Sequence, residues 1–274
     1  MRMGYKLARM FRFLKKCYQS GGVTTVAIAQ ITRGDVLRGK NILVTGGSRG
    51  IGFAIAKKCI AEGADVVITG RNVEALNQAS KQIGAVPLIW DVSCIEIAPA
   101  KLSEAKDLLG NEIDVVFNNA GVYSHAEFFD VSEAIWDAIH DINSKGLYFI
   151  CQAVAKRWIS GGRRGKIINI ASNRGITGDT TPYGMSKWGV ICLTRGLGKA
   201  LLPNGIVVNG IAPGIVASGI NGIDPAENAF INNPPSNRVG LPEEIAELAV
   251  FLASEAANHI VGQTIVCDGG NSLH

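Results

Sequence analysis

Tyr183 and Lys187 stand four positions apart in the run Tyr183-Gly184-Met185-Ser186-Lys187. In a helix, residues at that spacing lie one turn apart on the same face, so an ammonium group can sit beside a phenol. A phenol with its ordinary pKa of about 10 is a poor acid or base at neutral pH, whereas a fixed positive charge nearby favours the phenolate. Such a pair could exchange a proton with an alcohol or a carbonyl oxygen. Tyr-x-x-x-Lys also arises by chance in chains of this length, so the pair acquires meaning only from the elements that position it.

Those elements must come from a chain of 274 residues with 47% hydrophobic content, ample material for a large core. The 33 glycines follow no Gly-x-y period and form no Gly/Ser linker, which points to tight turns and close backbone approaches. Cys17, Cys59, Cys94, Cys151, Cys192 and Cys267 are scattered, with no Cys-x-x-Cys pair and no His at ligand spacing. They read as reduced thiols of a cytoplasmic protein without a metal site.

Charge is unevenly spread. Arg2, Lys6, Arg9, Arg12, Lys15, Lys16 and Arg33 against Asp35 leave residues 1-36 at +6, and since the whole chain is +4, the remainder is at −2. A nucleic-acid-binding surface on the main domain is not supported. Within the basic extension, Leu7, Met10, Phe11, Leu14 and Tyr18 fall on one helical face and Arg9, Arg12 and Lys16 on another, the pattern of a short amphipathic helix. The favoured reading is an extension packed on, or frayed from, the domain 37-274. Contact with an anionic membrane surface, a transit peptide and a docking arm are the competing ones. A secretory signal is not expected, because Gln19, Ser20, Gly21 and Gly22 break the region before Ala27-Ile28-Ala29, and no apolar run is long enough for a transmembrane helix.

From Leu37 onward the sequence alternates. Asn41 to Thr45, Val66 to Thr69, Val86 to Trp90, Val115 to Phe117, Lys166 to Ile170, Ile206 to Ile211 and Thr264 to Cys267 read as strands, with helical stretches between most of them. That rhythm predicts one α/β domain, a doubly wound parallel sheet of about seven strands with helices on both faces.

The first strand-to-helix turn is Gly46-Gly47-Ser48-Arg49-Gly50-Ile51-Gly52. Glycines at 46, 50 and 52 allow a sharp turn and a close approach, and the helix start beyond them offers free N-H groups to a diphosphate, so the turn reads as a dinucleotide site. The end of the second strand discriminates between dinucleotides, because an acid there binds the ribose 2′-hydroxyl and repels a 2′-phosphate. This chain has Gly70, Arg71 and Asn72 there, with no carboxylate, and Arg71 and Arg49 can flank a 2′-phosphate. NADP(H) is therefore favoured, with NAD(H) the alternative. Asp91, followed by Val92 past the third strand, is placed to accept from the adenine amino group or to cap a turn.

Thr45-Gly46-x-x-x-Gly50-x-Gly52, Asn118-Asn119-Ala120-Gly121, Asn143, Ser172, Tyr183-x-x-x-Lys187, Asn209-Gly210-Ile211-Ala212-Pro213-Gly214 and Gly262-Gln263-Thr264-Ile265-Val266-x-Asp268-Gly269-Gly270 occur in one order and at matching separations. In these the chain resembles the short-chain dehydrogenase/reductase family from about Leu37 to Leu273, close to its 3-oxoacyl-carrier-protein reductase and polyol or sugar dehydrogenase members. The resemblance implies a Rossmann-type fold. It also implies that Tyr183 donates or accepts the proton, that Lys187 lowers its pKa and contacts the nicotinamide ribose, and that Ser172 binds the substrate oxygen. Asn143 would hold a water in the proton relay. Asn119, Ala120 and Gly121 would steady the sheet beside the cofactor, and Pro213, Gly214, Ile215 and Ser218 would enclose the nicotinamide.

Two departures matter. Ser172 and Tyr183 are eleven positions apart, shorter than in much of the family, and Ser218 replaces a common threonine. The loop Asn173 to Pro182 and a polar lid from Gly219 to Asn237 would then determine the substrate, while Tyr123 and His125 read as surface or packing residues, with a reach into the pocket as the alternative. The expected function is NADP(H)-dependent hydride transfer between the nicotinamide and a small-molecule carbonyl or secondary alcohol. The alternatives are a 3-oxoacyl-carrier-protein reductase, with Arg163 and Arg164 as candidate docking residues and Asn204 where a further basic residue is expected, and a non-catalytic dinucleotide-binding regulator. Family resemblance further implies a homo-oligomer, a tetramer or a dimer.

Overall fold

The computed structural model describes residues 34–217 and 228–273, together with Met10, Phe11, Arg12, Leu14, Lys15 and Tyr18. Those six are helical and exposed, while the rest of the basic extension lies outside the described residues.

All seven expected strands form: β1 (Asn41–Val44), β2 (Asp65–Gly70), β3 (Val86–Ile89), β4 (Val115–Asn118), β5 (Gly165–Ile170), β6 (Ile206–Pro213) and β7 (Thr264–Cys267). They make one sheet in the order β3-β2-β1-β4-β5-β6-β7, with every pairing parallel. Parallel strands need helical crossovers, and these are α1 (Gly50–Ala61), α2 (Val73–Ile83), α3 (Ala98–Leu109), α4 (Glu133–His140), α5 (Leu147–Ser160), α6 (Pro182–Leu201) and α7 (Pro242–Ala253). Local chemistry sets several helix starts. Asn72 accepts from Ala75 N at 2.9 Å to cap α2, and Thr181 accepts from Gly184 N at 3.2 Å to cap α6, where Pro182 adds a preset backbone angle.

Two apolar layers cover the sheet. Ile42, Val44, Val66, Ile68, Val115 and Phe117 face α1, α2 and α7, while Leu43, Val67, Val116 and Ile167 face α3, α5 and α6. Alternate residues of one strand therefore serve opposite layers, which explains why the strands read as continuous apolar runs. Between β4, β5 and α6 runs a buried polar chain: Asn118 Nδ2 donates to Asn169 Oδ1 at 2.9 Å, and Asn169 Nδ2 donates to Thr194 Oγ1 at 2.9 Å.

β1 pairs with β2 on one side and β4 on the other, so the winding direction reverses between β1 and β4. The crevice beyond the carboxyl ends of strands at such a reversal is where doubly wound sheets bind ligands. Among the described residues no helix is long and apolar enough to cross a membrane, and no cluster of His, Cys, Asp and Glu could hold a metal ion.

Candidate active site

At the reversal two turns are tied together. Thr45 Oγ1 accepts from the amides of Asn119 and Ala120, both at 3.0 Å, and donates to Phe117 O at 3.3 Å. Asn119 Nδ2 returns the connection, donating to Thr45 O and Gly46 O at 3.0 Å each. The glycine turn and the Asn118-Gly121 turn thus form one rigid floor. Its glycines are sterically required: Gly46 and Gly50 have φ of +66° and +57°, and a Cβ on Gly52 would collide with the Asn119 side chain and the Gly46 carbonyl.

The residues present fit a dinucleotide. α1 begins at Gly50 with no side-chain cap and no acid in its first turn, which leaves its first N-H groups for an anion. Ser48 lies against Gly70 at the end of β2, beside the exposed Arg71. Arg71 Nη1 stands 3.6 Å from Asp91 Oδ2, and Asp91 also accepts from Ser93 N and Oγ, which hold its carboxyl below the usual range against the opposing effect of burial. The Asn72 side chain is committed to capping α2. Val92 presents its backbone carbonyl to Gly146, where a Cβ would come within 2.5 Å.

Ser172 follows β5 and Tyr183 opens α6, so the shortened loop spans from a strand end to a helix start. It contains a short turn (Asn173–Gly175), and Gly175 packs so closely on the Lys187 backbone that no side chain would fit. Tyr183 is enclosed, and burial raises its pKa. Opposing that, the Ser172 hydroxyl and the positive charge of Arg174 favour the phenolate. Lys187 lies on the same helical face, its Nζ 5.7 Å from the Tyr183 ring centre. That ammonium donates to Ile170 O at 2.8 Å, and burial alone lowers its pKa to about 8. Its charge is therefore directed at a strand-end carbonyl, and of the other charges near the phenol Arg174 favours the phenolate while Asp179, its ion-pair partner, disfavours it.

Asn143 sits in a π-helical turn (Asp141–Gly146) joining α4 to α5. Its Oδ1 accepts from Val122 N at 2.8 Å, and its Nδ2 donates to Val122 O at 2.9 Å and to Ser186 Oγ at 3.2 Å. This side chain clasps the backbone beyond Gly121, and Gly121 in turn lies against both Asn143 and Lys187. The extra residue in the π turn aims the Asn inward, a feature that apolar spacing does not reveal.

On the far side, Pro213 ends β6, Gly214 N donates to Cys267 O at 3.0 Å, and Ile215 O accepts from Gly240 N at 2.8 Å. Ser218 and residues 219-227 of the expected lid lie outside the described residues. Tyr123 packs edge-on against Tyr183, with ring centres 5.0 Å apart, and against His125 at 4.9 Å. Arg163, Arg164 and Asn204 line clefts at the opposite end of the sheet, where β5 begins. Ser172 lies beyond the far end of that strand, roughly 20 Å away at the usual rise per residue. They are not near the site, contrary to the expectation for Arg163 and Arg164. Sequence reasoning missed Arg174 and Asp179, whose spacing of five matches no helical or strand period; only the Asp179-x-Thr181 pattern before a helix hinted at them.

Below about pH 8 folded Lys187 carries a buried charge, and as pH rises toward its ordinary 10.5 the unfolded chain holds the proton more tightly than the folded one. Stability should therefore rise with pH across that window in the wild type and less so in Lys187→Met. Urea unfolding between pH 7.5 and 10 should shift the difference toward the wild type by on the order of 1–3 kcal/mol. A difference that does not vary with pH would contradict the buried ammonium.

The sequence profile of a family described as "Enoyl-(Acyl carrier protein) reductase" matches residues 46–272. The chain is similar to the 3-oxoacyl-(acyl-carrier-protein) reductase of Chlamydia trachomatis, at 39% identity over 247 residues covering 86% of this chain and 98% of the relative. It is also similar to the sorbitol dehydrogenase of Cereibacter sphaeroides, at 37% identity over 252 residues and the same shares. Among solved structures, a short-chain type dehydrogenase/reductase from Mycobacterium marinum superposes with a TM-score of 0.78 at 31% identity, covering 87% of this chain and 97% of that one. The chain belongs to the short-chain dehydrogenase/reductase family and is an NAD(P)-dependent oxidoreductase acting on CH–OH and C=O groups.

Proposed function

We propose that the protein reduces a small-molecule carbonyl, or oxidises the corresponding secondary alcohol, with NADP(H) as the preferred cofactor and Tyr183 as the proton donor or acceptor. The observation that carries this reading is the placement of Tyr183 beside the Lys187 ammonium, 5.7 Å from its ring centre, on the helix that follows Ser172 and the end of β5. When bound, the nicotinamide supplies or takes up the hydride. Gly46, Ser48, Arg49, Gly50, Ile51 and Gly52 would hold the diphosphate end, with Asn119, Ala120 and Gly121 beneath and Pro213, Gly214, Ile215 and Ser218 around the nicotinamide.

Within the chain, Ser172 would hold the substrate oxygen. As a carbonyl gains negative charge, an aimed hydroxyl donor stabilises it, and Tyr183 releases its proton to that oxygen to complete the alcohol. In the oxidation direction the same proton returns to the phenolate. Lys187 would favour the phenolate once its ammonium is drawn from Ile170 O, and Asn143 positions the turn against which both residues rest.

The NADP(H) preference is supported by the absence of a carboxylate from the end of β2 and by the exposure of Arg71 and Arg49 there. Reduction of a 3-oxoacyl chain on a carrier protein is the second reading, supported by the Chlamydia trachomatis relative. A homo-oligomer, a tetramer or a dimer, fits the exposed Trp136, Tyr148, Met185 and Trp188 on α4, α5 and α6.

The direct test is NADPH oxidation against ketones, keto sugars and acetoacetyl thioesters, comparing wild type with Tyr183→Phe. Loss of the hydroxyl should lower kcat by about 10²- to 10⁴-fold while NADPH binding persists; turnover that survives in Tyr183→Phe would remove Tyr183 from the reaction. For the cofactor, Arg71→Asp should lower the NADPH-to-NADH ratio of kcat/KM by about 10- to 100-fold, and an unchanged ratio would show that the charge at the end of β2 does not discriminate.

A further inference from the structure

The proton chemistry leaves one charged cluster of the site unexplained. Arg174, two residues beyond Ser172, binds the Asp179 carboxylate through Nε, donates from Nη1 to Tyr123 Oη at 3.3 Å, and holds its guanidinium carbon 5.9 Å from the Tyr123 ring centre. Tyr123 packs directly on Tyr183, so the guanidinium stands one aromatic ring away from the phenol.

Asp179 is a fixture rather than a mobile counter-ion. Its second oxygen accepts from Thr181 N and Oγ1, both at 2.8 Å, and its side chain is 4% exposed and packed where Gly184 leaves room for it. Because that oxygen is occupied, Asp179 meets Arg174 at Nε only, and the planar fork is not closed by a two-point pair. Nη2 has no hydrogen-bond partner among the described residues, and the Arg174 side chain is 42% exposed. A guanidinium held at its base and along one arm, one tyrosine ring away from Tyr183 and with its other arm unpaired among the described residues, is preorganised to bind a planar anion.

We infer that Arg174 anchors a carboxylate of the substrate, so that the site selects sugar-acid-like hydroxy or keto acids, whose reacting carbon lies several bonds from the carboxylate, over neutral polyols and thioesters. This rests on the proposed role of Tyr183, since it is distance from that phenol that turns an anion site into a specificity site. The aromatic ring of Tyr123 separates the two functions and gives the carbon chain between them an apolar wall.

The test pairs a series of aldonates with the alditols of matching length and configuration, and adds acetoacetyl thioester in the reverse direction, using wild type, Arg174→Gln and Arg174→Lys. Wild type should prefer the aldonates. Arg174→Gln should lower the aldonate-to-alditol ratio of kcat/KM by about 10- to 100-fold, mainly through KM, with Arg174→Lys between the two. Calorimetric Kd for the preferred aldonate on NADP⁺-saturated protein should weaken in the same order. A ratio unchanged in Arg174→Gln, or a wild type that prefers alditols or the thioester while still depending on Tyr183, overturns the carboxylate anchor and leaves the general reading standing. Absence of Tyr183-dependent turnover with every compound overturns both. If Arg174→Gln does not fold, the ratio in Arg174→Lys decides.

Discussion

The knot between Thr45 and Asn119 is the constraint on which the site depends. A parallel sheet that reverses its winding opens a crevice between β1 and β4, and an open crevice would leave two turns free to separate. Here a threonine hydroxyl takes two amides from one turn while an asparagine amide takes two carbonyls from the other. Each such bond contributes only about 1 kcal/mol to stability, but together they fix a floor against which Gly52, Gly121 and then Asn143 and Lys187 are packed. The cofactor floor and the proton-handling residues are parts of one structure for this reason.

A second tier of hydrogen bonds transmits that order outward. Asn143 clasps the backbone of Val122 and touches Ser186, inside the Tyr183-Lys187 turn, so the π-helical turn links the floor to α6. Asp179 and Thr181 then set the start of α6 and, through Arg174, the outer side of the site. Burial acts on the two titratable groups in opposite senses: it keeps the Tyr183 proton on and makes the Lys187 proton easier to lose.

The sequence revealed the architecture well because buried parallel strands are apolar runs with glycine or polar stops, and all seven were recognisable on that basis. β6 extends to Pro213, past the Ile211 expected, because a strand beside the edge can accommodate proline at its end. The glycine turn was equally legible, since Gly46, Gly50 and Gly52 meet backbone demands that other residues fail. What could not be read was side-chain destination. No spacing rule announces that the Lys187 ammonium turns to Ile170 O, or that Arg174 and Asp179 pair across the shortened loop. Arg163 and Arg164, expected near the pocket as docking residues for an acidic carrier protein, lie instead at the opposite end of β5 from Ser172.

Binding of NADPH to Asn119→Ala, followed by fluorescence titration beside the wild type, tests most directly whether the Thr45–Asn119 knot positions the site. Removing the amide frees Gly46 and the first turn together, so the Kd should rise by about 10-fold or more, with the catalytic rate at saturating cofactor falling as well because Gly121 no longer fixes Asn143 and Lys187. An unchanged Kd and an unchanged rate would contradict the account, since the two turns would then be held without the knot.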